Sequence, residues 1–347
     1  MSQMRNRMWA SRWRASHGVR LGEPRVVEDL PVPQRRTKAL ATWQLHNYHA
    51  AQAAGRIVRL NLDETRVLYY VKSGVGNVAV RRGGPGSTRP RPQQIASKGA
   101  QRAAMTHVGI VCDDSTLQGY LPQVFIANDH LIRARDVLAV EADLPPCTHL
   151  IRGTSSWNNN EKMVRIIGLL GAVLQARAPG ALAILSMDAV RLHLSERVLQ
   201  ECASWRIRVV VVPARLTWLL QPLDTHVFAQ LKRAIRDAYQ ERVGREGARA
   251  LSTQSWVSVV TNTVYCFLRR GQWATAFDHN GFGAAQQMVS QRVLTALDWQ
   301  APPAVPSLEP SEAQVRSLCP QGSRLDVRLL TLGRGALRIR LTPRLRA

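Results

Sequence analysis

Ala181-Leu182-Ala183-Ile184-Leu185-Ser186-Met187-Asp188 and Ile207-Arg208-Val209-Val210-Val211-Val212 are two short apolar runs separated by a helix-forming segment, Ser195 to Ser204. Their reading decides the fold. Each has the length and composition of a strand buried on both faces. Two such strands on either side of a helix imply a parallel pair joined by a right-handed crossover. Working outward, Met163, Ile166, Ile167, Leu170, Val173 and Leu174 recur at helical spacing. That helix is expected to start near Asn158, with Glu161 placed as a capping-box partner, and to stop at Pro179-Gly180. A further helix is expected after Asp224, through about Arg242.

Upstream the pattern changes. Arg56 to Asp63 reads as a strand, with Val67 to Val71 as its hairpin partner. Two more strands follow, roughly Thr106 to Cys112 and Leu121 to Ile126. Asp113, Asp114, Ser115 and Thr116 between them have turn chemistry. Sequential strands followed by strand–helix alternation describe an α/β chain with a ribonuclease-H-like mixed sheet flanked by helices. Ser252 to Leu297 reads as a C-terminal helical subdomain, with Trp256, Val259, Val260, Val264, Phe267 and Leu268 on one face. Glu23 to Arg36 reads as a linker, and Lys38 to Ala54 as a helix that carries His46 and His49 one turn apart. Half of a metal site and a buried, satisfied pair are both open for those histidines, the second being the simpler. Residues 301–323 hold five prolines and read as a linker. The tail from Arg324 reads either as a basic hairpin or as disordered chain.

The chain has 347 residues, a hydrophobic content of 45% and a net charge of +23. It is long enough for one large domain with smaller flanking pieces. So basic a chain favours nucleic acid or another anionic surface. Arginines outnumber lysines 42 to five, a bias that GC-rich coding also produces. Five scattered cysteines with no CxxC spacing indicate neither a zinc knuckle nor a disulfide framework. No apolar run is long enough to span a membrane. Gly74-x-Gly76 lacks the third glycine and the following helix of a dinucleotide site, so no nucleotide cofactor is expected. Thr65 to Cys112 contains no acid and eight basic residues. Arg81, Arg82, Arg89 and Arg91, around the loop centred on Arg82-Gly83-Gly84-Pro85-Gly86, are candidate phosphate contacts.

Against this basic background three acidic islands stand out: Asn61-Leu62-Asp63-Glu64-Thr65, Met187-Asp188 and Leu220-Gln221-Pro222-Leu223-Asp224. Each sets an aspartate at or just past the end of an apolar run. Three carboxylates gathered by one sheet make a site for a pair of hard divalent cations, Mg²⁺ or Mn²⁺. Short aspartate side chains suit the near-octahedral oxygen shell that magnesium demands.

Several of these residues carry a family resemblance. Asn61-Leu62-Asp63-Glu64-Thr65, Asp188 with His193 five residues on, and Pro213-x-x-x-Thr217-x-x-Leu220-Gln221-Pro222-Leu223-Asp224-x-x-Val227-Phe228-x-x-Leu231-Lys232 closely resemble the catalytic motifs of pogo/Tigger/Jerky-like transposases. Those are DDE superfamily endonucleases of the mariner supergroup. Gly153 to Trp157, and Trp273-x-x-Ala276-Phe277 with Gly281, are similar to further landmarks of the family. The resemblance covers roughly residues 40–300. It implies that Asp63, Asp188 and Asp224 are the catalytic, metal-binding triad, that His193 and Gln221 support it, and that Lys232 touches DNA. It also implies DNA as partner, a possible homo-oligomer on DNA ends, and a nuclear location.

By the same resemblance, residues 1–36 are a basic remnant of a helix-turn-helix module plus linker. Trp9-x-x-x-Trp13-Arg14-x-x-His17-Gly18-Val19 is similar only to a last recognition helix. The expected domains are then 37–245 (catalytic), 246–300 (helical) and 301–347 (linker and basic tail). Ala214 replaces the family's usual second proline, and Ala189-Val190 replace more polar residues. The alternative reading is a domesticated or decayed derivative that binds DNA or a protein partner without cutting.

Overall fold

The structure, a computed structural model, describes residues 30–68, 78–80, 91–93, 104–130, 132–247, 250–283, 286 and 288–331. Two compact units separate after Pro31; the second, Val32–Ala347, carries everything below. The expected recognition-helix remnant and the arginine-rich tail beyond Thr331 lie outside the described residues.

Six strands form one mixed sheet: β1 (Ile57–Leu68), β4 (Ala104–Cys112), β5 (Gln123–Asn128), β6 (Thr148–Gly153), β7 (Leu182–Asp188) and β8 (Ile207–Val212). A separate antiparallel pair joins β2 (Val78–Val80) to β3 (Arg91–Gln93). The sheet order is β6-β5-β4-β1-β7-β8. β1, β4 and β5 pair antiparallel, whereas β7 lies parallel to β1 and β8 parallel to β7. This is the ribonuclease-H-like arrangement: a three-stranded meander extended on its first strand by two parallel strands from a βαβ unit. β7 and β8 are buried almost throughout, as their unbroken apolar runs require.

Three expectations are corrected. β1 does not turn at Glu64. It is one twelve-residue strand that pairs with β4 from Leu60 against Cys112 to Leu68 against Ala104, so Val67 extends β1 instead of answering it in a hairpin. Continuous backbone pairing outweighs the local polar break at Asp63-Glu64-Thr65. β6 and the helix Ala134–Glu141 were not anticipated, because β6 is a short edge strand with only two buried positions. Finally, the proline-rich segments are not plain linker where they are described; residues 23–29 of the first lie outside the described residues. Helix α1 spans Val32–Ala51, six residues earlier than expected, since Pro33 sits in its first turn, where no hydrogen bond is lost.

Residues 301–323 contain the helix Glu312–Leu318 and dock on α1. Lys38 Nζ donates to Ser317 O (2.6 Å), Gln44 Nε2 to Leu308 O (3.2 Å) and Asn47 Nδ2 to Val305 O (3.2 Å). Where a hairpin was one option, residues Arg328–Thr331 form a helical turn. Burial lowers the pKa of His46 to about 4 and of His49 to about 3, so the pair is neutral and internal.

α1 lies against β7 and β8, where Thr42 Oγ1 donates to Val211 O at 3.1 Å. Its buried Trp43 donates from Nε1 to Asn280 O (3.0 Å). Gly281 follows with φ +82°, and a Cβ there would come within 2.4 Å of the Trp43 indole. Gly281→Ala is therefore expected to destabilise the fold by about 2 kcal/mol, the sum of left-handed strain and overpacking, as urea denaturation would measure.

Candidate functional site

β1 runs past the end of its parallel neighbour. Pairing with β7 ends at Asn61 opposite Ser186, and the same offset carried two residues further sets Asp63 opposite Asp188. Both aspartates thus stand where the parallel strands end, the usual position of a site in such sheets. The third comes from the turn after β8. There the short helix Thr217–Leu220 leads into a π-helical turn, Leu223–Val227, which holds Asp224 and opens the helix α7 (Phe228–Glu246). π-turns are rare and occur mostly at functional positions.

One buried side chain fastens these three elements together. Asn61 is fully buried; its Nδ2 donates to Ser186 O (2.9 Å) and its Oδ1 accepts from Leu223 N (2.8 Å). Asn61 is two residues from Asp63, Ser186 two from Asp188, and Leu223 adjacent to Asp224. Ser186 Oγ closes the seam by donating to Leu60 O at 3.0 Å. The turn is braced from the far side by buried Asn280. Its Nδ2 donates to Leu219 O (2.6 Å) and its Oδ1 accepts from Thr225 Oγ1 (2.9 Å).

The aspartates feel one another. Burial, then the charges of Asp224 and Asp188, hold the Asp63 carboxyl well above the ordinary range, against the opposing pull of the Glu64 N–H and His193. Asp224 is also raised, by partial burial and by Asp188. Donation from Thr217, the charge of Lys232 and a hydrogen bond with Asp63 oppose that shift. An all-aspartate oxygen set whose members raise one another's pKa suits a hard divalent cation in charge and donor type. Among the described residues no three His, Cys, Asp or Glu side chains form a closed ligand set. Asp188 has one oxygen committed elsewhere.

That commitment is to His193, which is 1% exposed. His193 Nδ1 lies 2.6 Å from Asp188 Oδ1, and Nε2 lies 3.4 Å from Glu64 Oε1. Burial alone would drive the imidazole toward neutrality, but hydrogen bonds and charge from Asp188 and Glu64 raise its pKa to about 10. At neutral pH the ring is an imidazolium that donates to both carboxylates. Burial pushes Glu64 up, yet His193 and Asn158, whose Nδ2 donates to Glu64 Oε1 at 2.5 Å, win and lower it. Glu64 N–H in turn donates to Asp63 Oδ1 at 2.7 Å. A chain of contacts thus runs Asp63, Glu64, His193, Asp188.

Because the folded pKa of His193 lies above its unfolded value, its stabilisation is complete below about pH 6.5 and is lost as pH rises through about 10. Urea titrations of the ion-free protein from pH 6 to 10 should show falling stability. In His193→Gln that slope should be shallower and the stability lower at pH 6.

The remaining sequence candidates fall as follows. Lys232 is exposed on α7, and its charge reaches Asp224. Gln221 is fully buried and its carboxamide has no hydrogen-bond partner among the described residues. Its carbonyl serves the turn, accepting from Thr225 N (3.0 Å) and Thr225 Oγ1 (2.9 Å). Arg81, Arg82 and Arg89 lie outside the described residues; Arg91 opens β3, and its side chain lies outside them too. Asp113 and Asp114, read as turn residues, stand apart from the three aspartates. Asp113 pairs with Arg59 (2.9 Å), and Asp114 caps the helix Ser115–Gln118 and pairs with Arg56, beyond the opposite end of the β1–β7 pairing.

Sequence reasoning missed Glu64, Asn158 and Asn280. Glu64 was visible beside Asp63, but a strand that ended there left it in a turn. Asn158 and Asn280 carried no signal beyond their neighbourhood to family landmarks.

Residues 170–272, which include Asp188 and Asp224, match the family described as DDE superfamily endonuclease. No curated protein matches the chain. Among solved structures, the chain is similar to the Mos1 transposase paired-end complex with left transposon end, at 14% identity over 79% of this chain and 70% of that one, with a TM-score of 0.38. It is also similar to the Mos1 mariner paired end complex with Mn (15%, 79% and 70%, TM-score 0.37) and with Mg (15%, 76% and 66%, TM-score 0.34).

Proposed function

We propose that this chain is a DDE-type endonuclease domain of transposase origin that cuts and joins DNA phosphodiesters, with Asp63, Asp188 and Asp224 holding two Mg²⁺ or Mn²⁺ ions. The observation that carries this reading is the convergence of three aspartates from β1, β7 and the π-turn into one mutually interacting group, in a chain of net charge +23. A cluster that raises its own carboxyl pKa is costly to keep unless a cation uses it. Bound there, the ions would lower the pKa of an attacking water or 3′-hydroxyl and offset charge on the phosphoryl group.

The protein's own work is positional. Asn61 fixes the spacing of the three carrier elements. The His193 imidazolium holds Asp188 and Glu64 in place by hydrogen bonds and lowers the pKa of Glu64. Thr217 orients Asp224 by a hydrogen bond, and exposed Lys232 lies at hand for a DNA phosphate. Substrate DNA, assembly of copies on DNA ends and a nuclear location belong to the same proposal.

A second reading, binding to DNA without cleavage, is favoured by the lack of a closed ligand set among the described residues. A nicking assay on end-containing DNA with Mg²⁺ or Mn²⁺ separates the two. Metal-dependent cleavage that Asp188→Ala abolishes supports the enzyme. Salt-sensitive binding without cleavage, unchanged in Asp188→Ala, supports the binding protein.

A further inference from the structure

Trp157 is 77% exposed, the most exposed large apolar side chain in the described chain. It makes neither a ring contact nor a hydrogen bond through its indole among the described residues. Leaving an indole in water forfeits roughly 2 kcal/mol or more of burial that a side chain of this size usually obtains.

The backbone beneath it is held firmly. Lys162 Nζ donates to Trp157 O (2.9 Å) and to Ser155 O (3.4 Å), and Asn128 Nδ2 donates to Thr154 O (3.1 Å). Asn159 caps the helix Asn160–Arg177 by accepting from Lys162 N at 2.9 Å. Asn158, the next residue, bonds Glu64, which contacts both Asp63 and His193. A rigid loop therefore presents an uncovered indole one residue from the ring of groups around the aspartates. Val190, two residues past Asp188 in the chain, is another exposed apolar side chain.

We infer that Trp157 is a stacking platform for an unpaired nucleobase of a DNA strand whose backbone lies at the aspartate cluster. This rests on the nucleic-acid reading above. An indole face takes any base, and the surrounding charge suits the strand: Lys162 stands beneath the loop, and the chain as a whole is strongly basic. A protein-docking role would require a broader apolar patch, whereas the chain neighbours of Trp157 are Ser155, Ser156, Asn158 and Asn159.

The test uses the full chain and a labelled DNA duplex with a short single-stranded 3′ end carrying 2-aminopurine, in Ca²⁺ to hold the DNA uncut. Wild type, Trp157→Phe and Trp157→Ala are compared for affinity, for 2-aminopurine quenching, for the salt dependence of binding and for sedimentation. Trp157→Ala should bind about tenfold or more weakly and lose the quenching, the loss of one base–aromatic stack. Trp157→Phe should keep the quenching and bind within about threefold of wild type, and neither variant should change the salt slope.

Unchanged affinity and quenching in a folded Trp157→Ala would overturn the stacking role while leaving DNA binding intact. A change in oligomeric state in place of DNA affinity would assign the indole to a protein contact and also overturn it. No salt-dependent binding by wild type would remove the nucleic-acid reading itself, and the stack with it.

Discussion

Asp63→Asn should abolish metal-dependent DNA cleavage, by about 10³-fold or more, and at the same time stabilise the metal-free protein. The two effects share a cause. The Asp63 carboxyl is held well above its ordinary pKa by burial and by Asp224 and Asp188. An acid that binds its proton more tightly folded than unfolded favours the fold at low pH. That contribution is lost as pH rises through the ordinary carboxyl range toward the folded value. At pH 8 the wild-type site has given up part of that contribution, whereas asparagine, which does not titrate there, has nothing to lose.

Thermal unfolding in EDTA at pH 8 should therefore give a higher Tm for Asp63→Asn than for wild type. Added Mg²⁺ should raise the wild-type Tm, because it binds only the folded site, and leave the variant nearly unmoved. A variant that cleaves like wild type, or a wild type whose Tm ignores Mg²⁺ and Mn²⁺ alike, would refute the role given to these carboxylates.

Asn61→Leu should cost about 2–5 kcal/mol in stability and lower cleavage by about 10²-fold, although leucine is close to asparagine in size and the position never meets solvent. The substitution removes the donor to Ser186 O and the acceptor for Leu223 N, and so orphans two buried backbone groups. It also frees the Asp224 turn from the two strands that carry the other aspartates. Ser186→Ala is the control: it breaks only the bond to Leu60 O, within the β1–β7 seam. It should cost about 1 kcal/mol and leave cleavage close to wild type. Equal loss of cleavage in both variants would show that general loosening of the sheet is responsible, and not the fastening of Asp224.

The parallel half of the sheet was legible because Leu182–Asp188 and Ile207–Val212 are buried on both faces, so apolar run length alone marks them. That put Asp188 at a strand end, where it stands. Asp63 was read at a strand end too, and there the sequence misled. The backbone continues to Leu68 because β4 pairs with it, and what ends near Asp63 is the neighbour β7. Local composition cannot register which partner stops.

The same limit hid Glu64. It is a turn residue if the strand closes at Asp63, and a partner of buried His193 if it does not. Gln221 shows the converse: its place in a specific motif suggested a supporting side chain, and what the motif did not reveal is that its backbone carbonyl braces the turn. Proline content misled at both ends. Residues 301–323 read as a linker because proline excludes regular structure, yet carbonyls in irregular chain bond well to the polar side chains of α1.

The wide turn at Leu223–Val227 has a consequence for how this gene can vary. It holds one residue more per turn than ordinary helix, and α7 is phased from it so that Phe228, Leu231, Ile235 and Tyr239 face inward. Deleting one of its five residues would restore regular winding and take up the widened turn on which Asp224 stands, so the carboxylate would leave the position from which it meets Asp63. Exchanges of side chain along this stretch should survive far more often than changes in its length, so descendants of this sequence should differ here in letters and almost never in count.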